Sequence, residues 1–191
     1  MKSEDLNTLI KNRRAVPVQF YNGEPVSKDE ILQILENGNW APNHKQTEPW
    51  RFVVYQGESK KQLGEDVFNK IVQALEKGEK VDPGKADKFR RNVLKAGAVV
   101  SIIMQRDPED QLPEWEEIAA VSMAVQNMWL TAESLGLRAF WSTPKYLPLL
   151  KDILGLDSSQ KSLGFFFLGK ADIDYPSQGR GAIEKKIIWM D

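Results

Sequence analysis

Apolar residues recur at helical spacing in several stretches and run almost unbroken in others. Leu6, Leu9 and Ile10 make one stripe, and Ser3 with Glu4 and Asp5 stands where a cap belongs, so the spacing predicts a first helix. Pro17 ends that reading, because it lacks an N–H and drives Val16 towards extended geometry. Tyr21–Gly23 reads as a turn. Ser27 then caps a predicted helix over Lys28–Asn37, with Ile31, Leu32, Ile34 and Leu35 inward and Gly38 closing it. Arg51–Tyr55 is a short apolar strand. Ser59–Lys77 puts Leu63, Val67, Ile71 and Leu75 on one helical face. Gly78–Lys85 breaks the pattern, and a short basic helix follows through Lys95.

Ala98–Met104 is a near-continuous apolar run, the mark of a strand buried on both faces. Pro108–Pro113 reads as a loop. Trp115–Leu135 is the longest helical pattern. It is small and apolar on most sides, so it belongs at the centre of a domain or an interface, and Gly136 ends it. Arg138–Ser142 and Leu163–Leu168 are predicted strands, with a helix between them at Lys145–Leu154. The segment from Ala171 is polar and turn-rich, then finishes on Ile187-Ile-Trp-Met190, an apolar run that calls for something to pack against. The order of elements predicts an α+β fold with helices on both faces of a sheet, a single domain over 1–191. The all-round apolar helix and the apolar tail predict an intimate homodimer.

Composition narrows the chemistry. The chain has 191 residues, a net charge of −1, one histidine and no cysteine. That length buries a sizeable core. The charge lacks the basic surplus of a nucleic-acid binder. Without cysteine there is no disulfide framework or thiolate metal site, and one histidine makes a poor transition-metal site. No apolar secretion core or bilayer-length run is present, so the expectation is a cytoplasmic protein without membrane partners.

The candidate chemistry sits in four places. Asn12-Arg13-Arg14 closes the first helix; the arginines either face the helix C-terminal dipole or clamp a phosphate. Trp40-Ala-Pro42-Asn43-His44-Lys45-Gln46 packs several hydrogen-bonding groups between Pro42 and Pro49, either as an ordinary polar loop or as a preorganised site. Trp141-Ser142-Thr143 follows a strand, either capping the next helix or forming a ligand shelf at a strand end. Arg180 lies between glycines in Gln178-Gly-Arg-Gly181, where backbone can approach a ligand. Lys88-Phe-Arg-Arg91 reads as a solvated helix face. There is no G-x-S-x-G, P-loop or G-x-G-x-x-G. A donor-rich loop with separated arginines, and few catalytic side chains, fits a bound cofactor that carries the reaction.

Several elements taken in order carry a resemblance. Asn12-Arg-Arg14, Trp40-Ala-Pro with Glu48-Pro-Trp-Arg-Phe-Val-Val54, Ala132-Glu-Ser-Leu-Gly136 and Gly164-Phe-Phe-Phe-Leu-Gly169 together resemble the FMN-dependent nitroreductase family, in its small bacterial form. The Thr47-Glu-Pro-Trp50 ending is similar to the iodotyrosine deiodinase branch. The resemblance implies a mixed central sheet, a domain-swapped homodimer whose tail wraps the partner, and one FMN at each of two interface sites. It implies that Arg13, Arg14 and Arg180 hold the FMN phosphate and ribityl chain, with Ala15 offering only its N–H where the family often has serine. Pro42, Asn43 and His44 would line the flavin from the neighbouring subunit, beside Trp40. Trp141, Ser142 and Thr143 would lie along the ring system, with Thr143 near N5.

The implied activity is ping-pong hydride transfer. NADH or NADPH reduces the flavin at N5, and a small acceptor such as a nitroaromatic or quinone then oxidises it. No side chain is assigned as an indispensable acid or base. A specialised flavin reductase or reductive dehalogenase, a non-catalytic flavin-binding dimer, and a cofactor-free structural dimer are the alternatives.

Overall fold

A computed structural model describes residues 2–109, 111–176 and 179–190. Asp110, inside the expected 108–113 loop, and Gln178, beside Arg180, lie outside the described residues. The chain forms α1 (Ser3–Asn12), α2 (Lys28–Asn39), β1 (Trp50–Tyr55), α3 (Gly57–Glu76), α4 (Pro83–Lys95), β2 (Ala98–Gln105), α5 (Glu114–Ser134), β3 (Arg138–Ser142) and β4 (Gln160–Gly169).

The sheet runs β1-β2-β4-β3, and every strand pair is antiparallel. The expected mixed pairing reduces to one parallel bridge between Ala15 and Ala139, outside the four strands. β2 and β4 are central and alternate between two apolar clusters. Ala98, Val100, Ile102, Met104, Phe166 and Leu168 pack with α2 and α5. Val99, Phe165 and Phe167 pack on the other side with α3 and α4. The period of two along each strand divides the side chains between two helical layers. Burying each of the three phenylalanines of β4 contributes roughly 1.5–3 kcal/mol, so β4, like β2, is a main source of core stability. Among the described residues no helix is long and apolar enough to cross a membrane.

Several sequence expectations are revised. Leu6 and Ile10 are exposed and α1 buries nothing fully. Its cap is also one residue earlier than expected: the Lys2 N–H donates to the Asp5 carboxylate at 2.8 Å. Ser27 does cap α2, its Oγ accepting from the Glu30 N–H at 3.2 Å. Gly38 does not end that helix but lies within it, where its missing side chain leaves room for Met128 of α5. Leu32 and Leu75 point outward. The helix expected over Lys145–Leu154 is only a 3-10 turn, Leu147–Leu150, followed by further turns. Pro148 has no N–H to extend an α ladder, so the chain closes with tighter bonds such as Leu149 N–H to Tyr146 O at 3.0 Å.

Two glycines test this packing in opposite ways. A Cβ on Gly97 would sit 2.5 Å from Glu24 O and 2.9 Å from Val26 N, both backbone atoms with little room to yield. A Cβ on Gly38 would meet the flexible side chain of Met128 at 2.8 Å. Gly97→Ala is therefore expected to cost about 2–4 kcal/mol. Gly38→Ala is expected to stay within about 1 kcal/mol of wild type, because helix propensity offsets the adjustment. Urea midpoints at constant m-value check both.

Candidate functional site

The site begins with an irregularity in β4. The register of β2 against β4 shifts at Ile102/Ile103, so Ile102 faces Gly164, Ile103 faces Ser162, and Leu163 is the extra residue of a bulge. Its carbonyl is turned to accept from Trp141 Nε1 at 2.9 Å. Gly164 has φ +117°, and a Cβ there would collide with the Ser142 carbonyl oxygen. Bulge and glycine together let the end of β3 lie close against β4. Beyond it, Trp141, Ser142 and Thr143 line a cleft of about 450 Å³. No hydrogen bond to the Thr143 hydroxyl or N–H is formed among the described residues.

The opposite wall of this cleft is α4. Lys85, Lys88 and Asn92 project into it, with Phe89 beside them. Lys88 is exposed, as the expected solvated face requires, and lines the same cleft as Trp141, while Phe89 of the same run is buried. The available signal is spacing: positions 85, 88 and 92 form a polar stripe flanking the buried stripe Ala86, Phe89 and Val93. Tyr146 closes the floor, buried, with its phenol pushed well above its ordinary pKa by desolvation. The lining contains two lysines and no carboxylate.

At the far edge of β3 lie the arginines. Val16 N–H donates to Ala139 O at 3.2 Å and Ala15 bridges Ala139, so the end of α1 runs alongside the strand. The Arg13 guanidinium lies 4.8 Å over the Trp129 ring of α5, and Trp129 Nε1 donates to Arg14 O at 3.0 Å. Arg14 folds back to donate to the carbonyls of Lys11 and Arg13, satisfying the helix end. Its Nε stays buried without a partner. Burial, then the neighbouring charges of Arg180 and Arg14, pull Arg13 below its ordinary pKa, while Glu133 opposes them. Glu133 is itself engaged by Arg138 at 3.1 Å. Positive charge therefore exceeds negative charge at this edge.

The 40–46 loop is elsewhere. His44 Nδ1 is 2.7 Å from Glu116 Oε2, and Lys45 Nζ donates to Gln111 Oε1 at 3.0 Å. Asn43 Oδ1 accepts from the Glu48 N–H at 3.1 Å. Lys45, Gln46 and Glu48 all have positive φ, at 53°, 56° and 42°, so the loop holds three strained non-glycine residues within four positions. Trp40 is 78% exposed and donates to Glu36 at 3.0 Å, and Pro42 is exposed. Glu116 lies near the start of α5 and Trp129 towards its end, about 20 Å apart at roughly 1.5 Å per residue. One protomer therefore brings Arg13, Arg14, Ala15, Trp141, Ser142, Thr143 and Arg180 towards β3, but holds His44 near the start of α5, with Pro42 and Asn43 leading to it; Trp40 lies closer, two residues past Gly38, which packs on Met128.

Residues 10–170 match the model of the Nitroreductase family. The chain belongs to that family. Members of the family are FMN-dependent NAD(P)H oxidoreductases. The chain is 30% identical over 144 residues to Bacillus subtilis YfhC, a protein carrying an NAD(P)H nitroreductase name, with 74% of this chain and 71% of that one covered. It is 27% identical over 168 residues to Escherichia coli K12 YdjA, similarly named, covering 86% and 87% of the two chains. A nitroreductase-like protein of Bacillus cereus superposes with a TM-score of 0.85 at 28% identity, covering 100% of this chain and 98% of that one. The fold is thus nitroreductase-like.

Gly164→Ala probes the strand end. The variant is expected to lose about 2–4 kcal/mol of stability and to shift the Trp141 contribution to near-ultraviolet circular dichroism, as the indole loses Leu163 O. An unaltered spectrum together with wild-type stability would show that β3 does not need the close approach.

Proposed function

We propose that residues 1–191 form one FMN-binding domain that transfers hydride from NADH or NADPH to a small acceptor such as a nitroaromatic or quinone. The observation that carries this reading is the excess of guanidinium groups beside β3, next to an aromatic cleft without carboxylates. The residues fit FMN. Arg13 and Arg180 repel one another with Glu133 already taken by Arg138, and the buried Arg14 Nε lacks an acceptor. A phosphate answers both conditions, since guanidinium forks match its oxygens. When bound, FMN would supply the redox chemistry of the hydride transfer.

The chain supplies position and charge. Arg13, Arg14 and Arg180 hold the phosphate end, with the Ala15 backbone beside them. Trp141, Ser142 and Thr143 form the shelf for the ring system, and Thr143 offers a donor with no competing protein partner. Lys88 places positive charge at the cleft, joined by Lys85 beside Asp82, and would favour negative charge on a ring system held there. No side chain in this reading moves a proton as an indispensable acid or base.

A second copy of the chain completes the site. The separation along α5 favours a partner's His44, with Pro42 and Asn43 beside it, as the missing wall, because His44 is held at Glu116, far from its own β3; the exposed Trp40 of the partner would flank that wall. The exposed Trp40, Trp115, Ile188 and Trp189 supply apolar surface for such a homodimer. Strain held in the loop by His44–Glu116 and Lys45–Gln111 suits a preformed wall.

Arg13→Ala is expected to weaken FMN binding about ten- to hundredfold, the range for losing a charge-assisted contact. Fluorescence titration with FMN checks it, and wild-type affinity would remove Arg13 from the site. His44→Ala is expected to weaken FMN retention with its effect scaling with dimer content in gel filtration. A purified protein that stays colourless after FMN loading would overturn the flavin reading altogether.

A further inference from the structure

A second cavity of about 500 Å³ opens beside the first and shares Lys85 and Tyr146 with it. Lys80 and Lys145 line it too, with Glu79 and Asp82 as the carboxylates. Asp82 is already engaged. It accepts from the Gly84 N–H at 3.0 Å, capping α4, and lies 4.0 Å from Lys85 Nζ. Among the described residues Lys80, Lys88 and Lys145 form no ion pair. Lys80 sits on a defined turn, with Gly78 at φ +85°, Glu79 N–H on Ala74 O and Val81 N–H on Glu79 O, both at 3.0 Å. Four lysines thus surround the paired cavities against two carboxylates.

We propose that this outer cavity is the subsite for the phosphate groups of the nicotinamide dinucleotide, with Lys80, Lys85 and Lys145 as its anion-binding side chains. The inference rests on reading the inner cleft as the flavin's. Ligand shape decides between occupants. A one-ring acceptor is used up within the inner cleft and has nothing to extend past Tyr146. A dinucleotide carries its reacting ring at one end and several negative charges further along, so a nicotinamide over the inner cleft directs its phosphates outward. Lysines are point charges on flexible stems that follow a phosphate without locking it. That suits a ligand that must leave before the acceptor enters.

The test compares wild type with Lys80→Gln, Lys145→Gln and the double variant. Adenosine 2′,5′-bisphosphate and ADP are titrated calorimetrically into the FMN-loaded protein, and kcat/KM is measured for NADPH and NADH with nitrobenzene or 4-nitrobenzoate as acceptor. Each single variant is expected to raise Kd about three- to fivefold and the double variant about tenfold, with the effect shrinking at high salt. Loss confined to the bisphosphate and NADPH means that the lysines read the 2′-phosphate. Equal loss for ADP and both coenzymes means that they hold the pyrophosphate. Either upholds the subsite. Wild-type binding of both nucleotides by the double variant overturns it, as does an effect seen only in the acceptor's Michaelis constant. Flavin retention is read separately from the visible spectrum. A colourless protein sinks both readings, and unchanged titrations in a yellow protein sink this one alone.

Discussion

The close approach of β3 to β4 at Gly164 governs the rest of the molecule's useful geometry. One extra residue, Leu163, puts a kink in an otherwise regular strand, and one missing Cβ lets a neighbouring carbonyl into the space. The indole of Trp141 then fixes the strand end to the bulge. Everything downstream depends on that strand end. The segment from Arg13 to Val16 is aligned against β3 at Ala139, and the cleft takes one wall from the residues that follow Phe140. A regular β4 would have kept its hydrogen bonds and lost the shelf.

The fold tolerates the charge arrangement because its stability comes from elsewhere. Two apolar layers on either side of β2 and β4 supply the favourable burial. The sheet edge can therefore carry arginines that repel one another. This division of labour is common to binding sites: groups that are unfavourable in the free protein become favourable when a ligand of opposite charge arrives. The pair between half-buried Arg106 and buried Glu117 does a different task. It ties the turn after β2 to α5, with the Asp107 N–H also on Glu117 at 2.7 Å, and so steadies the segment that holds Lys45.

Much of this is legible in the sequence. The unbroken apolar runs of β2 and β4 mark the central strands, and Ser27 marks the start of α2, because these signals are local. What escapes is set by tertiary contact. Gly38 has the look of a helix stop, yet it serves the crossing of α2 and α5. Lys145–Leu154 is helical by composition, but Pro148 leaves only a tight turn. The α1 stripe has the spacing of a buried face, but among the described residues α1 meets α5 only lightly, so Leu9 is partly covered while Leu6 and Ile10 stay exposed. Among the site residues, the Arg13–Ala15 and Trp141–Thr143 segments are visible as motifs. Lys85, Lys88 and Asn92 are not, because only the docking of α4 over β3 distinguishes their face from any other solvated stripe.

The single histidine has a practical consequence. His44 is the chain's only imidazole, and it sits on the strained loop at 2.7 Å from Glu116. Its two carbon-bound ring protons therefore belong to one residue, so no second histidine competes for their assignment in a proton magnetic-resonance spectrum. The absence of cysteine adds a second channel, since a thiol introduced at one chosen position is a unique attachment point for a dye or spin label. A label at one chosen position near His44 would thus report on the 40–46 loop alone, without competing thiols elsewhere in the chain.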